Sequence, residues 1–208
     1  MGSNFRIFVF FLKICLSSIF IVHCSPKNDS KDAPEKQLVQ IILQQKIALV
    51  GDSISAFWPE ELLKPLAVTK VAFPNRSSQQ ILLAVREMNG YFDFCTYNGG
   101  VNDFLSDFSV IETARLDQTI DRQKETFQEL WKHCGRILIL GVYFVEPPWP
   151  IFAAPQLNQR MKERISEAPI LDLSGVIRTN MLMDGGHLKY EGYRALSENI
   201  FKQLNPIR

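Results

Sequence analysis

Histidine and cysteine are scarce in this 208-residue chain, with three of the first and four of the second. Beyond residue 24 only His133, His187, Cys95 and Cys134 remain. A metal-dependent hydrolase built on Asp52, Asp184 and His187 would lack the further His or carboxylate ligands such sites need, so no metal and no cofactor is expected. Charge of one sign is lacking as well. Lys and Arg number 23 against 22 Asp and Glu, leaving +1, and there is no basic run to attract a nucleic acid. Internal repeats and low-complexity tracts are missing from the body. What remains is ordinary globular composition, 46% hydrophobic and 22% charged, which suits one domain large enough to need no metal or disulfide staple.

The first residues differ in kind. Arg6 and Lys13 flank apolar residues, and Ile14 to Val22 runs on to His23-Cys24-Ser25-Pro26. A basic start followed by a short apolar core reads as an export signal over residues 1–24. A spanning helix needs about 20 apolar residues, and Lys13 interrupts this stretch. Cys24 stands where a bacterial lipoprotein would carry its acylated cysteine, although His23 replaces the small residue expected before it. The expectation is an exported envelope protein held to the membrane through Cys24, or otherwise periplasmic or secreted. Residues 25–43, polar and carrying Pro26 and Pro34, read as a flexible tether, and residues 44–208 as the domain. Cys95 and Cys134 could pair only if their Cα atoms approach within ~7 Å; two buried free thiols are the simpler expectation.

The body alternates strand-like and helix-like segments. Lys46 to Val50 is apolar with no polar face, as a strand covered on both sides should be. Val68–Phe73, Phe92–Tyr97, Arg136–Val142 and Pro169–Leu173 are further strand candidates. Helical spacing marks a segment beginning at Ser77-Ser78 and stopped by Gly90, then Leu116–His133, Gln156–Glu167 and Tyr193–Leu204. This order predicts an α/β fold with a parallel sheet of about five strands. Ligand sites in such sheets lie beyond the carboxyl ends of the strands, so chemistry should reside in the segments that follow them.

Three of those segments carry reactive types. Gly51-Asp52-Ser53 follows the first strand, where a glycine permits a sharp turn into a helix. Asp and Ser also suit a plain helix cap there. Asn98-Gly99-Gly100-Val101-Asn102-Asp103 follows the third strand. Its glycines, Gly100 among them, allow a ligand close to the backbone, and an Asn amide can donate to a developing oxyanion. Asp184-Gly185-Gly186-His187 precedes the last helix, so one short loop can supply an imidazole base and the carboxylate that orients it. His133, ending a helix, is better explained by the helix dipole.

Ser after the first strand, Asn after the third and Asp-x-x-His before the last helix together resemble the SGNH (GDSL-type) hydrolase superfamily over roughly residues 46 to 204. The resemblance implies a three-layer α/β/α sandwich with a flavodoxin-like sheet and a Ser53–His187–Asp184 triad. It implies an oxyanion hole from the Ser53 N–H, the Asn102 side chain and a third donor after the second strand. The family usually has glycine at that third position; here the match is Asn75, which keeps its N–H and tolerates left-handed backbone. The implied activity is cleavage of a carboxylic ester of a small molecule, lipid or glycan. Acyl transfer by the same residues, or a non-catalytic binding protein on the same fold, are the alternatives. Trp58, Phe104 and the Tyr143–Pro150 segment are candidate walls of a substrate groove.

Overall fold

The computed structural model describes residues 45–143 and 145–204. The export signal, Cys24 and the tether lie outside the described residues, as does Phe144.

Five strands form one parallel sheet: β1 (Lys46–Gly51), β2 (Ala67–Ala72), β3 (Phe94–Asn98), β4 (Ile137–Leu140) and β5 (Ile170–Leu171). Their spatial order is β2-β1-β3-β4-β5, with β1 inside, paired to both β2 and β3. Among the described residues five α-helices pack on the sheet: α1 (Ser53–Ala56), α2 (Ser78–Arg86), α3 (Thr113–Leu130), α4 (Ala153–Arg164) and α5 (Tyr190–Leu204). The result is the three-layer α/β/α sandwich that the motif order implied.

Alternation along the strands explains the layers. Ala48 and Val50 face one side, packing with Ile81 and Val85 of α2, Ile120 and Phe127 of α3, and Leu157 and Met161 of α4. Ile47 and Leu49 face the other, against Trp58, Leu63 and the α5 residues Tyr193, Leu196 and Ile200. All four of these β1 side chains are fully buried, so the missing polar face of this run reflects burial from both sides. Ser77 caps α2 with a reciprocal box, its hydroxyl accepting from the Gln80 N–H while the Gln80 side chain accepts from its own N–H.

Helix starts depart from the apolar spacing by about a turn. Helix α4 begins at Ala153, ahead of Pro155, because the first turn needs no intrahelical N–H and so admits proline. Helix α3 runs three residues earlier than expected and stops at Leu130. His133 therefore lies in the turn after the helix, where its Nδ1 is 3.1 Å from the Gly90 carbonyl oxygen.

The two body cysteines are bonded to each other, which corrects the expectation of free thiols. Their Cα atoms are 5.9 Å apart because β3 and β4 start side by side: Phe92 bridges Cys134, and the Cys95 N–H donates to the Arg136 carbonyl.

Candidate active site

The end of β1 is pressed against the end of β3. Gly51 has φ +148°, and a Cβ there would stand 2.1 Å from the Asn98 carbonyl oxygen, so no larger residue fits. The chain turns directly into α1, and two adjacent residues divide the work. Asp52 is the cap, its Oδ1 accepting from the Ile54 N–H at 3.1 Å and from Asn98 Nδ2 at 2.5 Å. Asn98 in turn accepts from the Ser55 hydroxyl. Burial pushes the Asp52 carboxyl up, against the lowering effect of these donors. Because Asp52 fills the capping role, the Ser53 hydroxyl is free of it.

That hydroxyl meets a residue 134 positions away: His187 Nε2 lies 3.1 Å from Ser53 Oγ. On the other side of the ring, Nδ1 is 2.7 Å from Asp184 Oδ2. The second carboxylate oxygen accepts from the N–H groups of Gly186 at 3.0 Å and His187 at 2.7 Å. Partial burial raises the Asp184 carboxyl, but the bonds from the His187 backbone and ring and from Gly186 outweigh it and hold it at about 2. The carboxylate is thus fixed and ionised at neutral pH, and it orients the ring. Hydroxyl, imidazole and carboxylate form one continuous chain at the carboxyl edge of the sheet.

Asn102 also reaches this edge. Its Nδ2 donates to the Arg76 carbonyl at 3.0 Å, which ties the loop after β3 to the loop after β2 and leaves a second amide hydrogen on the same nitrogen. Its neighbour Asp103 anchors both loops. Asp103 accepts from the Ser78 N–H at 2.8 Å, the Ser78 hydroxyl at 2.5 Å and the Thr119 hydroxyl at 2.7 Å. Asn75 is the one non-glycine described residue with positive φ, at 62°, the backbone that a glycine there would supply. It is exposed and does not line the cavity beside Ser53.

That cavity, about 60 Å³, is bordered by Ser53, Asn102 and His187 and walled chiefly by apolar side chains. Ile54, Val101, Leu105, Val142, Val145 and Trp149 form much of its wall. Three residues expected there are elsewhere. Trp58 is buried on the α5 side, donating from Nε1 to the Ser197 hydroxyl at 2.9 Å. Phe104 is 1% exposed and belongs to the opposite core layer. Trp58 follows α1 and Phe104 ends a short helical turn over Val101–Phe104, which rotate them inward, so nearness to Ser53 or Asn102 in the chain did not carry into space. Gly100 has φ +99° and faces Gln123, Thr119 and Leu157, where it lets the loop lie against α3; Gly99 borders the cavity in its place. The aliphatic wall was missed because Val101, Leu105 and Val142 carry no signal separating a site wall from core.

Neither a protein-family model nor a curated protein matches the chain. Solved structures do match. A GDSL-like lipase from Bacteroides thetaiotaomicron superposes with a TM-score of 0.60 at 18% identity, over 84% of this chain and 97% of the other. An acetylxylan esterase from Geobacillus stearothermophilus gives 0.59 at 13% identity, over 78% and 94%. A psychrotrophic esterase from a Pseudoalteromonas species gives 0.56 at 13%, over 78% and 100%. At such identities the likeness is one of fold, and it extends over nearly the whole length of each of these proteins. The chain thus has the fold of the SGNH hydrolases.

Proposed function

We propose that this protein is a serine esterase of the cell envelope. The observation that carries the proposal is the 3.1 Å and 2.7 Å pair of contacts on either side of the His187 ring, beside an apolar cavity. A serine hydroxyl is a poor nucleophile until a base within about 2.6–3.2 Å takes its proton.

Ser53 Oγ attacks the ester carbonyl carbon as His187 Nε2 accepts the hydroxyl proton. Asp184 remains ionised and stabilises the imidazolium. Negative charge on the carbonyl oxygen is met by the Ser53 N–H at the start of α1 and by Asn102 Nδ2. The intermediate collapses with cleavage of the ester C–O bond, and the imidazolium gives its proton to the departing alkoxide. Water, deprotonated by His187, then attacks the acyl carbon, and Ser53 leaves with its proton restored. The cavity walls suit the apolar part of a small-molecule, lipid or glycan ester. A hydroxyl acceptor in place of water would make the same steps an acyl transfer.

The Cys95–Cys134 disulfide supports the export reading of residues 1–24, since such bonds persist in oxidising compartments. Cys24 is the proposed lipid attachment point, residues 25–43 the tether and residues 44–208 the domain. A lipid-sized increment on the mature N-terminus, lost in Cys24→Ala, tests the anchor. A fluorophosphonate probe tests the chemistry. Wild-type protein should be labelled and Ser53→Ala should not; an unlabelled wild type would leave a non-catalytic binding protein as the better reading.

A further inference from the structure

In the segment Asp184-Gly185-Gly186-His187 the N–H groups of Gly186 and His187 donate to the Asp184 carboxylate, and the carbonyl oxygens are also occupied. All three that precede His187 are taken by one loop, the one that follows β4. Trp149 Nε1 donates to the Asp184 carbonyl at 2.9 Å, the Glu146 N–H to Gly185 at 2.7 Å, and the Tyr143 hydroxyl to Gly186 at 2.5 Å. The loop closes on itself through the Trp149 N–H and the Glu146 carbonyl, 3.0 Å apart. The Trp149 indole also stands edge-on to the His187 ring, centroids 5.2 Å apart at 84°.

The two glycines fit this clamp. A Cβ on Gly185 would stand 2.9 Å from the Glu146 carbonyl oxygen. A Cβ on Gly186 would stand 2.6 Å from the indole, and all three of its nearest neighbours would be Trp149 atoms. Gly186 does not have positive φ, so contact with the indole, rather than backbone strain, is what excludes a side chain there.

We infer that Tyr143, Glu146 and Trp149, on the loop after β4, form a clamp that sets the position of the acid–base segment, with Tyr143 and Trp149 as positioning residues for His187. The inference rests on the esterase reading for its catalytic consequence and on contacts alone for its structural one. Val142, Val145 and Trp149 also wall the cavity, so the loop that holds the base is the loop the substrate touches.

A double-mutant cycle tests it, read by the NMR resonance of the His187 Nδ1 proton that faces Asp184 and by kcat and KM on a p-nitrophenyl ester. Gly186→Ala and Trp149→Ala should each lower kcat by about 100-fold, the size of effect that a misplacement of about 1 Å produces. Adding Gly186→Ala to Trp149→Ala should cost nothing further, because the atoms it would strike are gone. Tyr143→Phe and Trp149→Phe each remove one donor and keep an aromatic ring, so both should stay folded with Tm lowered by only a few degrees. Both should move the resonance of the His187 Nδ1 proton upfield, as a looser Asp184 holds it less closely. Losses that multiply in the cycle, or an unmoved resonance in both conservative variants, would overturn the clamp. Wild-type protein that resists the fluorophosphonate probe, while the conservative variants show the expected change in that resonance, would sink the esterase reading and support the clamp.

Discussion

Breaking the Cys95–Cys134 bond removes a crosslink that closes a loop across 39 positions. The denatured chain without it gains the freedom of that loop, which corresponds to about 4 kcal/mol at 25 °C in the chain-entropy treatment. Little else should change. Both cysteines are buried and lie at the starts of β3 and β4, at the edge of the sheet opposite Ser53 and His187. Reduction deletes no atoms from the core apart from adding two hydrogens, so no cavity term accompanies it. The assay is urea unfolding of the wild-type chain with and without a reductant, equilibrated long enough for thiol exchange in the unfolded state. With a slope of about 2 kcal/mol per molar, the midpoint should fall by about 2 M. Below the transition the reduced protein should keep the activity proposed for Ser53. An unchanged midpoint, with thiol titration proving the bond cut, would refute the crosslink argument. Equal loss of activity in the still-folded reduced protein would refute the separation of the bond from the site.

Four further outcomes follow from the site. Asp184→Asn preserves the shape of the loop but loses the charge opposite the imidazolium, and kcat should fall by about 10,000-fold with little change in KM. Asn102→Ala should cost roughly 100-fold to 1,000-fold in kcat if its amide meets the oxyanion; a loss confined to KM would reassign it to substrate binding. Asp103→Ala strands the Ser78 N–H and the Ser78 and Thr119 hydroxyls, and urea unfolding should register a loss of about 3 kcal/mol. The Asp117 carboxyl is held at about 2, first by its bond from Arg160 and also by Arg164, and Asp184 likewise sits at about 2, against an ordinary 3.8. Their folded values lie below the unfolded ones, so the stability they add is present above pH 4 and disappears as pH falls toward 2. A Tm that stays level over that interval would contradict both assignments.

Much was readable along the chain because it depends on local pattern. Ile47 to Val50 had to lie inside a sheet covered on both faces, since no residue of the run could meet water without loss. The helix after Ser77-Ser78, the amphipathic stretch around Ile120 and Phe127, and the alternation of segments followed from the same partition. Even the pairing of Ser53 with His187 was legible, but only because parallel sheets gather the ends of their strands at one edge.

Side-chain direction at that edge was not legible. Trp58 and Phe104 follow the site motifs closely yet turn into opposite core layers, as the short helical turns beside them dictate. Asp52 capped α1 and freed Ser53, a division of labour that Asp-Ser alone leaves undecided. The disulfide required β3 and β4 to be neighbours in register, and the three carbonyls of Asp184, Gly185 and Gly186 found their donors on a loop some forty residues earlier. Composition and periodicity determine which residues seek water and which avoid it. Which of them meet is decided by the order of strands in the sheet, because only that order brings distant segments within the few ångströms over which hydrogen bonds and packing act.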